Sequence, residues 1–414
     1  MSWIFLLQTL GPVVFGLIFM ASGVLAAQPK WPGRLAFLLA QLLQIYAFGY
    51  GSIAGIGLVV CILCGFAVFA AAPSTSIAGR LIGCAMFFAA YLLYWAFEKY
   101  AVPLLFPPQA SGEAAGNVQA AASLIAIVGI SYIGFKFIHF FVDYRAGEIE
   151  HVEPLGFLSW LLFFPSIIAG PMQRFQDWNE QFGASGLTLD QAMWGLQRLL
   201  FGGLLKFVLA DNIHALTLPQ MSPGTLAMAP WSAMIFGALI YSLYLYFDFS
   251  GYCHIAIGTG VFWGIRLPEN FNNPYIARNL AEFWKRWHIT LSEILRDYLF
   301  YPLSLSVKRS RSVRPYPIVA TIVPPIVTFF LAGLWHGAGI GYIIYGLIHG
   351  IGLAYLALRR SSRKPKSAWN RWWSQSLIGH AGGATLNYIY VSISFVFFSL
   401  TTEKLSILAG RIFH

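Results

Sequence analysis

Apolar runs long enough to cross a lipid bilayer are the feature that most constrains the fold of this chain. A membrane-spanning helix needs roughly 17–25 predominantly apolar residues, and such runs recur along all 414 residues. The chain is 58% hydrophobic and 10% charged, whereas a soluble domain carries about 25% charged residues. Because helices satisfy their own backbone hydrogen bonds in lipid, the sequence predicts an all-α polytopic membrane protein and argues against a soluble helical one.

The spacing of these runs predicts about eleven transmembrane helices in one integral domain over residues 1–414. The first run lacks a basic start and is long, so we expect a retained helix, not a signal peptide. Residues 98–117 are rich in Pro and Gly and predict an extramembrane loop. Residues 264–314 are too polar to span yet rich in aromatics, which predicts re-entrant or interfacial helices. The predicted spans lie near 4–26, 34–50, 52–72, 81–97, 118–141, 155–170, 190–210, 228–247, 316–334, 338–358 and 385–400.

Two basic clusters predict the orientation of the chain. The stretches KRSRSVR (308–314) and RRSSRKPKSAWNR (359–371) flank a predicted helical hairpin around His336. The positive-inside rule places both clusters on the cytoplasmic side, which directs His336 into the membrane or toward the outer face. Topology and contact with anionic membrane lipids explain the net charge of +10 better than nucleic acid does. We therefore expect no nucleic-acid partner.

The cysteines predict neither a disulfide framework nor a metal site. Cys61 and Cys64 form a C-x-x-C pair inside an apolar run, with no strand pattern or second pair nearby. Buried, inert thiols are the expected interpretation, and no metal is predicted.

The segment EFWKRWHITLSEILRD (282–297) has helical periodicity. Its charged residues fall on one stripe of a helix, and its large apolar residues fall on the other side. Glu282 is expected to pair with Arg286 one turn later. We predict one amphipathic helix across the segment, with His288 off the charged stripe. The stripe contains Glu282, Lys285, Arg286, Glu293, Arg296 and Asp297, and the other side contains Trp284, Trp287, Leu291, Ile294 and Leu295.

Three ionisable residues are expected to lie away from bulk water. His288 is either a core histidine bonded to a carbonyl or a residue that faces a functional cavity. Asp248 and His254 lie in the apolar stretch YLYFDFSGYCHIAIG. Ionisable groups in membrane segments are costly and mark a polar pathway or a paired network. Asp248 also has a structural interpretation, as a helix cap near Gly251.

Four motifs resemble membrane-bound O-acyltransferases, and their wording is closest to the bacterial polysaccharide branch. That branch includes alginate O-acetyltransferases and teichoic-acid D-alanyltransferases. The resemblance runs from about residue 129 to about residue 350, the expected family core. The motifs are FFPSIIAGPMQRF (163–175), YFDFSGY (246–252), ENFNNPYIARNLAEFWKRWHITLSEILRDYLFYPL (269–303) and GLWHGAGIGYIIYGLIHG (333–350).

The resemblance implies a ring of helices around a central tunnel, with His288 and His336 facing each other across it. It also implies that His336 is catalytic, and it makes His288 the second catalytic candidate. His349 has two interpretations, a tunnel residue or a helix-packing residue. Lys285, Arg286 and the basic stretch at 308–314 are candidates for binding the acyl donor, with lipid headgroups as the alternative ligand. The expected substrate-binding and tunnel residues are Trp284, Trp287, Trp335, Asp248, Ser292, Arg296 and Asp297.

Acyl transfer to a hydroxyl needs a group that accepts the hydroxyl proton, and a neutral imidazole suits that task. We predict that His336 is this general base. Its flanking residues Gly333, Gly337, Gly339 and Gly341 either leave room for substrate or serve helix packing. Direct transfer is favoured because no nucleophile elbow is present, and an acyl-histidine intermediate is the alternative.

The resemblance predicts a multi-pass enzyme of the bacterial cytoplasmic membrane that O-acylates an exported polysaccharide. The expected co-substrate is acetyl-coenzyme A or an acylated carrier protein, with no tightly bound cofactor. A second acyltransferase, membrane-bound or extracytoplasmic, is an expected partner. The alternatives are D-alanyl transfer to teichoic acid, a proton-coupled transporter, and a non-catalytic scaffold of a secretion complex.

Overall fold

The computed structural model describes residues 130–183, 187–337, 339–361 and 376–413, together with short pieces between residues 34 and 96. The predictions for the first spanning segment, for the loop at 98–117, and for Cys61 and Cys64 lie outside the described residues.

Helices make up the regular structure of the described residues, which contain no named β-strand. Five helices are long and apolar enough to cross a membrane, which confirms the predicted class of all-α polytopic membrane protein. The total of about eleven spans stays a prediction. The described helices are α1 (Ile130–Ala146), α2 (Pro154–Leu161), α3 (Phe175–Gln181), α4 (Leu189–His214), α5 (Pro223–Met228), α6 (Trp231–Phe262), α7 (Leu280–Phe283), α8 (Ile289–Leu295), α9 (Tyr301–Arg309), α10 (Pro317–His336), α11 (Ile340–Ser361), α12 (Leu377–Ser399) and α13 (Thr402–Phe413).

The predicted span at 155–170 is not one helix of spanning length. α2 ends at Leu161, and a 3₁₀ turn follows at Phe164–Ser166. Pro165 disfavours helical geometry at the residue before it and has no N–H to donate. The apolar run alone did not reveal this break.

The predicted helix over 282–297 is also broken. α7 ends at Phe283, and a turn separates it from α8, which begins at Ile289. His288 has left-handed backbone angles, φ 45° and ψ 52°, which cost a non-glycine residue about 1–2 kcal/mol. Periodicity does not detect this turn because contacts with residues 270–272 hold it.

Two local features of that prediction are confirmed. Glu282 forms an ion pair with Arg286 at 3.1 Å, and a second with Arg278 at 3.0 Å. The residues expected on the apolar side are buried even though the helix is interrupted, because each half still turns its apolar side chains inward. They are Trp284, Trp287, Leu291, Ile294 and Leu295.

The chain divides into two compact units. The first combines residues 1–201 with 253–268, and the second combines residues 202–252 with 269–414. Among the described residues of the first unit, an aromatic core surrounds Trp160. The fully buried Lys136 there donates to the Trp160 carbonyl at 3.1 Å and to Ser166 Oγ at 3.0 Å. In the second unit, α10 and α11 form the predicted hairpin, and α11 also packs against α12.

Glycines bring α10 and α11 together. A Cβ on Gly333 would overlap the carbonyl oxygen of Tyr342, and one on Gly346 would overlap that of Phe329. Close backbone approach of this kind is how small residues drive helix contact in membranes. Gly333 therefore serves packing, which was the alternative to a substrate-space role.

The neighbouring glycines divide between the two interpretations. A Cβ on Gly337 would overlap the ring of Tyr342, and one on Gly341 would overlap the carbonyl of Phe397. Gly339 has more room, because its Cβ would lie 3.6 Å from the Tyr342 ring. Packing thus accounts for Gly337 and Gly341, and the space around Gly339 stays open.

We expect Gly346→Ala to destabilise the second unit by about 1–3 kcal/mol, the usual cost of overpacking a close contact. The measurement is the thermal unfolding midpoint of the purified protein in detergent. Gly410→Ala in α13 is the matched control, because no atom lies within 4 Å of its added Cβ. Equal midpoints for the two variants would contradict the packing role.

Candidate functional site

His336 is the last residue of α10, at the turn of the hairpin. The sequence predicted this position. Aromatic rings surround the half-buried imidazole, with centroid distances of 4.6 Å to Trp335, 5.0 Å to Phe398 and 6.0 Å to Tyr345. Tyr342 stacks at 6.3 Å. The rings restrict the orientation of the imidazole and leave part of it accessible.

His288 lies at the turn between α7 and α8 and is 4% exposed. Phe249 packs edge-on against its ring at 4.8 Å. Its Nδ1 lies 3.2 Å from Asn270 Oδ1. Burial, and then the charge of His336, lower the pKa of His288 to about 3, so the ring is neutral at physiological pH.

The two histidines therefore lie within electrostatic reach of each other in the second unit. The charge of His336 acts on His288 although the residues come from separate motifs. Both are reached by aromatic side chains of the same core, which includes Trp287, Tyr345 and Phe395. The more accessible of the two imidazoles, His336, is the one that a substrate can reach to give up a proton.

His349 is fully buried and has polar contacts at both ring nitrogens. Trp284 Nε1 donates to its Nδ1 at 3.2 Å, and Ser394 Oγ lies 2.8 Å from its Nε2. Because an indole N–H only donates, the hydrogen of the neutral ring is on Nε2 and points at Ser394. The Ser394 hydroxyl in turn donates to the Val391 carbonyl at 2.6 Å. This network supports the packing interpretation of His349, as a tie between α11, α12 and the turn after α7.

The remaining predicted tryptophans have aromatic neighbours. Trp287 is 4% exposed and stacks on Phe283 with ring centroids 5.5 Å apart. Trp335 contacts His336 directly. Ser292 donates to the Trp287 carbonyl at 3.3 Å. Trp287 thus supports the site from the core, and Trp335 lies at the site itself.

Asp248 forms an ion pair with Lys206 inside the second unit. Because Asp248 lies in the interior of α6, its interpretation as a helix cap near Gly251 is wrong. The pair fits the paired-network interpretation of an intramembrane carboxylate. Lys206 lies in a π-helical turn of α4 and was not selected from the sequence, although a lysine in an apolar run gives the same signal as Asp248.

His254 lies in the first unit, where its ring meets Phe201 edge-on at a centroid distance of 4.9 Å. The structure therefore does not bring it together with His288 and His336 inside one unit.

A cavity of about 790 Å³ lies in the second unit beside the turn after α7. Its walls are mostly apolar, with Trp284, Phe329 and Leu356 among them, and Ser292 lies on its lining. Arg296, which pairs with Asp297 at 2.8 Å, also lines it. Asp297 itself is not among the lining residues of this cavity.

A second cavity of about 420 Å³ is predominantly basic. Both cavities are lined by Lys285 and Arg360, and neither residue forms an ion pair with a described carboxylate. Arg278 and Arg286 also line the smaller cavity, together with Glu282. Burial opposes ionisation of Glu282, but hydrogen bonds from the two arginines outweigh it and lower its pKa below the ordinary value. The positive charge therefore exceeds the negative charge at this site.

The structure thus groups most of the predicted residues within the second unit. His288, His336, Trp284, Trp287 and Trp335 belong to one aromatic region. A second group lines the two cavities and contains Trp284, Lys285, Arg286, Ser292 and Arg296.

Sequence reasoning missed two residues of this region. Asn270 contacts His288, and Ser394 contacts His349. Asn270 lies inside the motif at 269–303, but nothing local to that motif indicates which side chain its amide contacts.

Fold and site together define a polytopic helical membrane protein in which imidazoles from two separate motifs pack against one aromatic core. The chain matches the model of the membrane-bound O-acyltransferase family over residues 141–376. The chain belongs to this family, as its motifs predicted.

Curated relatives support the predicted bacterial polysaccharide branch. A probable alginate O-acetylase of Pseudomonas aeruginosa is 39% identical over 224 residues, 53% of this chain and 40% of the relative. A teichoic acid D-alanyltransferase of Bacillus subtilis is 33% identical over 234 residues, which are 54% of this chain and 57% of the relative. A peptidoglycan O-acetyltransferase of Helicobacter pylori is 39% identical over 200 residues, which are 46% of this chain and 35% of the relative. The chain covers less than two thirds of each relative.

We expect Ser394→Ala to lower the stability of the protein by about 1–3 kcal/mol, because it leaves the buried Nε2–H of His349 without an acceptor. Ser399→Ala is the matched control in the same helix. Ser399 Oγ also donates three residues back, to Val396, but has no histidine neighbour among the described contacts. The two variants are compared by their thermal unfolding midpoints in detergent. An equal fall of the midpoint in both would contradict a stabilising role of the hydrogen bond between His349 and Ser394.

Proposed function

We propose that this protein is an O-acyltransferase of the bacterial cytoplasmic membrane. It transfers an acyl group, acetyl as the first choice, from a cytoplasmic thioester to a hydroxyl of an exported cell-surface polysaccharide. The observation that carries the proposal is that His288 and His336 pack against side chains of one aromatic core in the second unit, His288 against Phe249 and His336 against Tyr345 and Phe398. The family and the names of the relatives support the same reaction class.

In the proposed step, the acceptor oxygen attacks the thioester carbonyl while its proton passes to His336. The new C–O ester bond forms, the C–S bond breaks, and the departing thiolate takes the proton from His336. The residue is restored, and no acyl-enzyme is needed. A positioned base supplies about 10²–10⁴-fold of rate, and the half-buried position of His336 allows a substrate to reach it.

The paired cavities support a site for the donor. Coenzyme A and a phosphopantetheine arm both combine phosphate with a long, flexible chain. The excess positive charge at Lys285, Arg286 and Arg360 suits the phosphate, and the apolar cavity beside Trp284 suits the chain. The expected cytoplasmic position of the cluster at 359–371 agrees with a donor that enters from that side.

The proposed partners follow from this route. The donor is acetyl-coenzyme A or an acylated carrier protein, and no tightly bound cofactor is required. The acceptor is the polysaccharide, reached directly or through a second acyltransferase on the membrane or its outer side. Membrane lipids surround the spanning helices, and no nucleic acid takes part.

A second candidate within the class is D-alanyl transfer to teichoic acid, favoured by the relative of that name in Bacillus subtilis. A transporter is the candidate from another class, since intramembrane His and Asp also serve proton-coupled transport. The ion pair between Lys206 and Asp248 compensates the carboxylate, so that residue gives the transporter less support.

We expect His336→Ala to abolish the ester groups that this protein adds to the cell surface, because no base then takes the hydroxyl proton. Mass analysis of surface glycans from cells with the native protein, with the variant and without the protein measures the loss. The lost group identifies the acyl unit, acetyl or D-alanyl. His151→Ala, at an exposed histidine before α2, is the control and is expected to retain the esters. Full esterification in a folded His336→Ala variant would remove His336 as the base.

For the donor site, we expect the double variant Lys285→Gln, Arg360→Gln to raise KM for acetyl-coenzyme A about five- to thirtyfold. The estimate takes roughly 0.5–1 kcal/mol from each exposed contact with phosphate. Initial rates of the purified protein against donor concentration give KM. Lys308→Gln, Arg309→Gln in α9 removes the same charge outside both cavities and is the control. An unchanged KM, or the same rise in the control, would remove the cavities as the donor site.

A further inference from the structure

Asn270 is a buried residue with an unusual concentration of contacts. It is 1% exposed, and its side-chain Oδ1 has three polar neighbours. They are His288 Nδ1 at 3.2 Å, the Thr290 backbone N–H at 3.2 Å and the Thr290 hydroxyl at 3.0 Å. A single amide oxygen therefore serves the residue at the turn and the first residues of α8.

These contacts fix the tautomer of His288. A backbone N–H can only donate, so the atom of Asn270 that faces Thr290 is the amide oxygen and not its nitrogen. An amide oxygen only accepts, so the neighbouring Nδ1 of His288 carries the hydrogen. In the neutral ring the lone pair is then on Nε2.

The backbone of Asn270 also holds the turn. Its carbonyl accepts from Ile289 N at 3.0 Å, and two residues later Asn272 N donates to the Arg286 carbonyl at 2.9 Å. An isolated antiparallel bridge between Phe271 and Trp287 lies between these bonds. Left-handed geometry at a residue such as His288 persists only when its surroundings impose it, and here a short paired segment does so.

We infer that Asn270 is a positioning residue for acyl transfer, holding His288 as the Nδ1–H tautomer with its lone pair on Nε2. In this role His288 Nε2 accepts a hydrogen bond from a neighbouring hydroxyl of the acceptor sugar and orients it, while His336 takes the proton of the hydroxyl that attacks. The inference rests on the proposed function for the reaction itself and on the contacts of Asn270 for the tautomer.

Substitutions at Asn270 separate positioning from general support of the fold. Asn270→Ala removes the acceptor of Nδ1–H, and we expect transfer to fall about 10–100-fold, by analogy with metal-bound imidazoles that lose the partner orienting them. Asn270→Asp keeps an acceptor oxygen for both His288 and Thr290, so we expect it to retain most of the activity near neutral pH. Asn212→Ala is the control, because that amide donates to its own helix at Val208.

The pH dependence of activity distinguishes positioning of His288 from a purely structural role, because a purely structural role does not shift it. In the native protein, burial and the charge of His336 keep the pKa of His288 low, so its protonation does not limit activity near neutrality. The carboxylate introduced by Asn270→Asp favours the protonated ring and raises that pKa. The acid limb of the activity profile should therefore move to higher pH in Asn270→Asp and stay in place in Asn212→Ala.

Four outcomes decide the matter, with folding followed by monodisperse elution and thermal unfolding. A loss of rate in a folded Asn270→Ala variant with the shifted limb in Asn270→Asp supports the inference. Native rates and native profiles in both variants overturn it, provided that His288→Ala is inactive. An unfolded Asn270→Ala variant with an unshifted limb in Asn270→Asp also overturns it, in favour of a purely structural role. Full transfer by both His288→Ala and His336→Ala overturns the proposed function instead.

Discussion

The left-handed turn at His288 is the constraint on which the rest of the site depends. It costs about 1–2 kcal/mol and is held by the short segment at 270–272. The turn divides an amphipathic sequence into two short helices, so that both halves bury their apolar side chains. It brings Trp284 into contact with His349 and places His288 within reach of the charge of His336.

The three histidines of this region differ in what surrounds them, and the differences suggest different roles. His349 has defined partners at both nitrogens and is fully buried, so it serves as a structural tie. His288 is held at Nδ1, which sets the position of its lone pair. His336 has aromatic neighbours and is half-buried at the end of α10. In the proposed function, only the last both meets a substrate and exchanges a proton.

Charged side chains in the second unit differ in whether a partner of opposite charge compensates them. Lys206 and Asp248 neutralise each other within membrane-spanning helices, where an uncompensated charge is costly. At the two cavities, by contrast, Lys285 and Arg360 have no carboxylate partner among the described residues, and one carboxylate, Glu282, is shared by two arginines. Excess positive charge at a cavity is stabilised when an anion binds, which is the basis for assigning the donor there.

The sequence by itself determined the membrane class, because long apolar runs leave the backbone no other way to satisfy its polar groups. Short-range rules also predicted the hairpin end at His336 and the pair of Glu282 with Arg286. The same rules were wrong for the helix over 282–297, since the amide of Asn270 and its backbone compete with helix continuation there. Only the tertiary structure decided which distant groups meet, because those contacts arise from packing across the chain and leave no periodic signal.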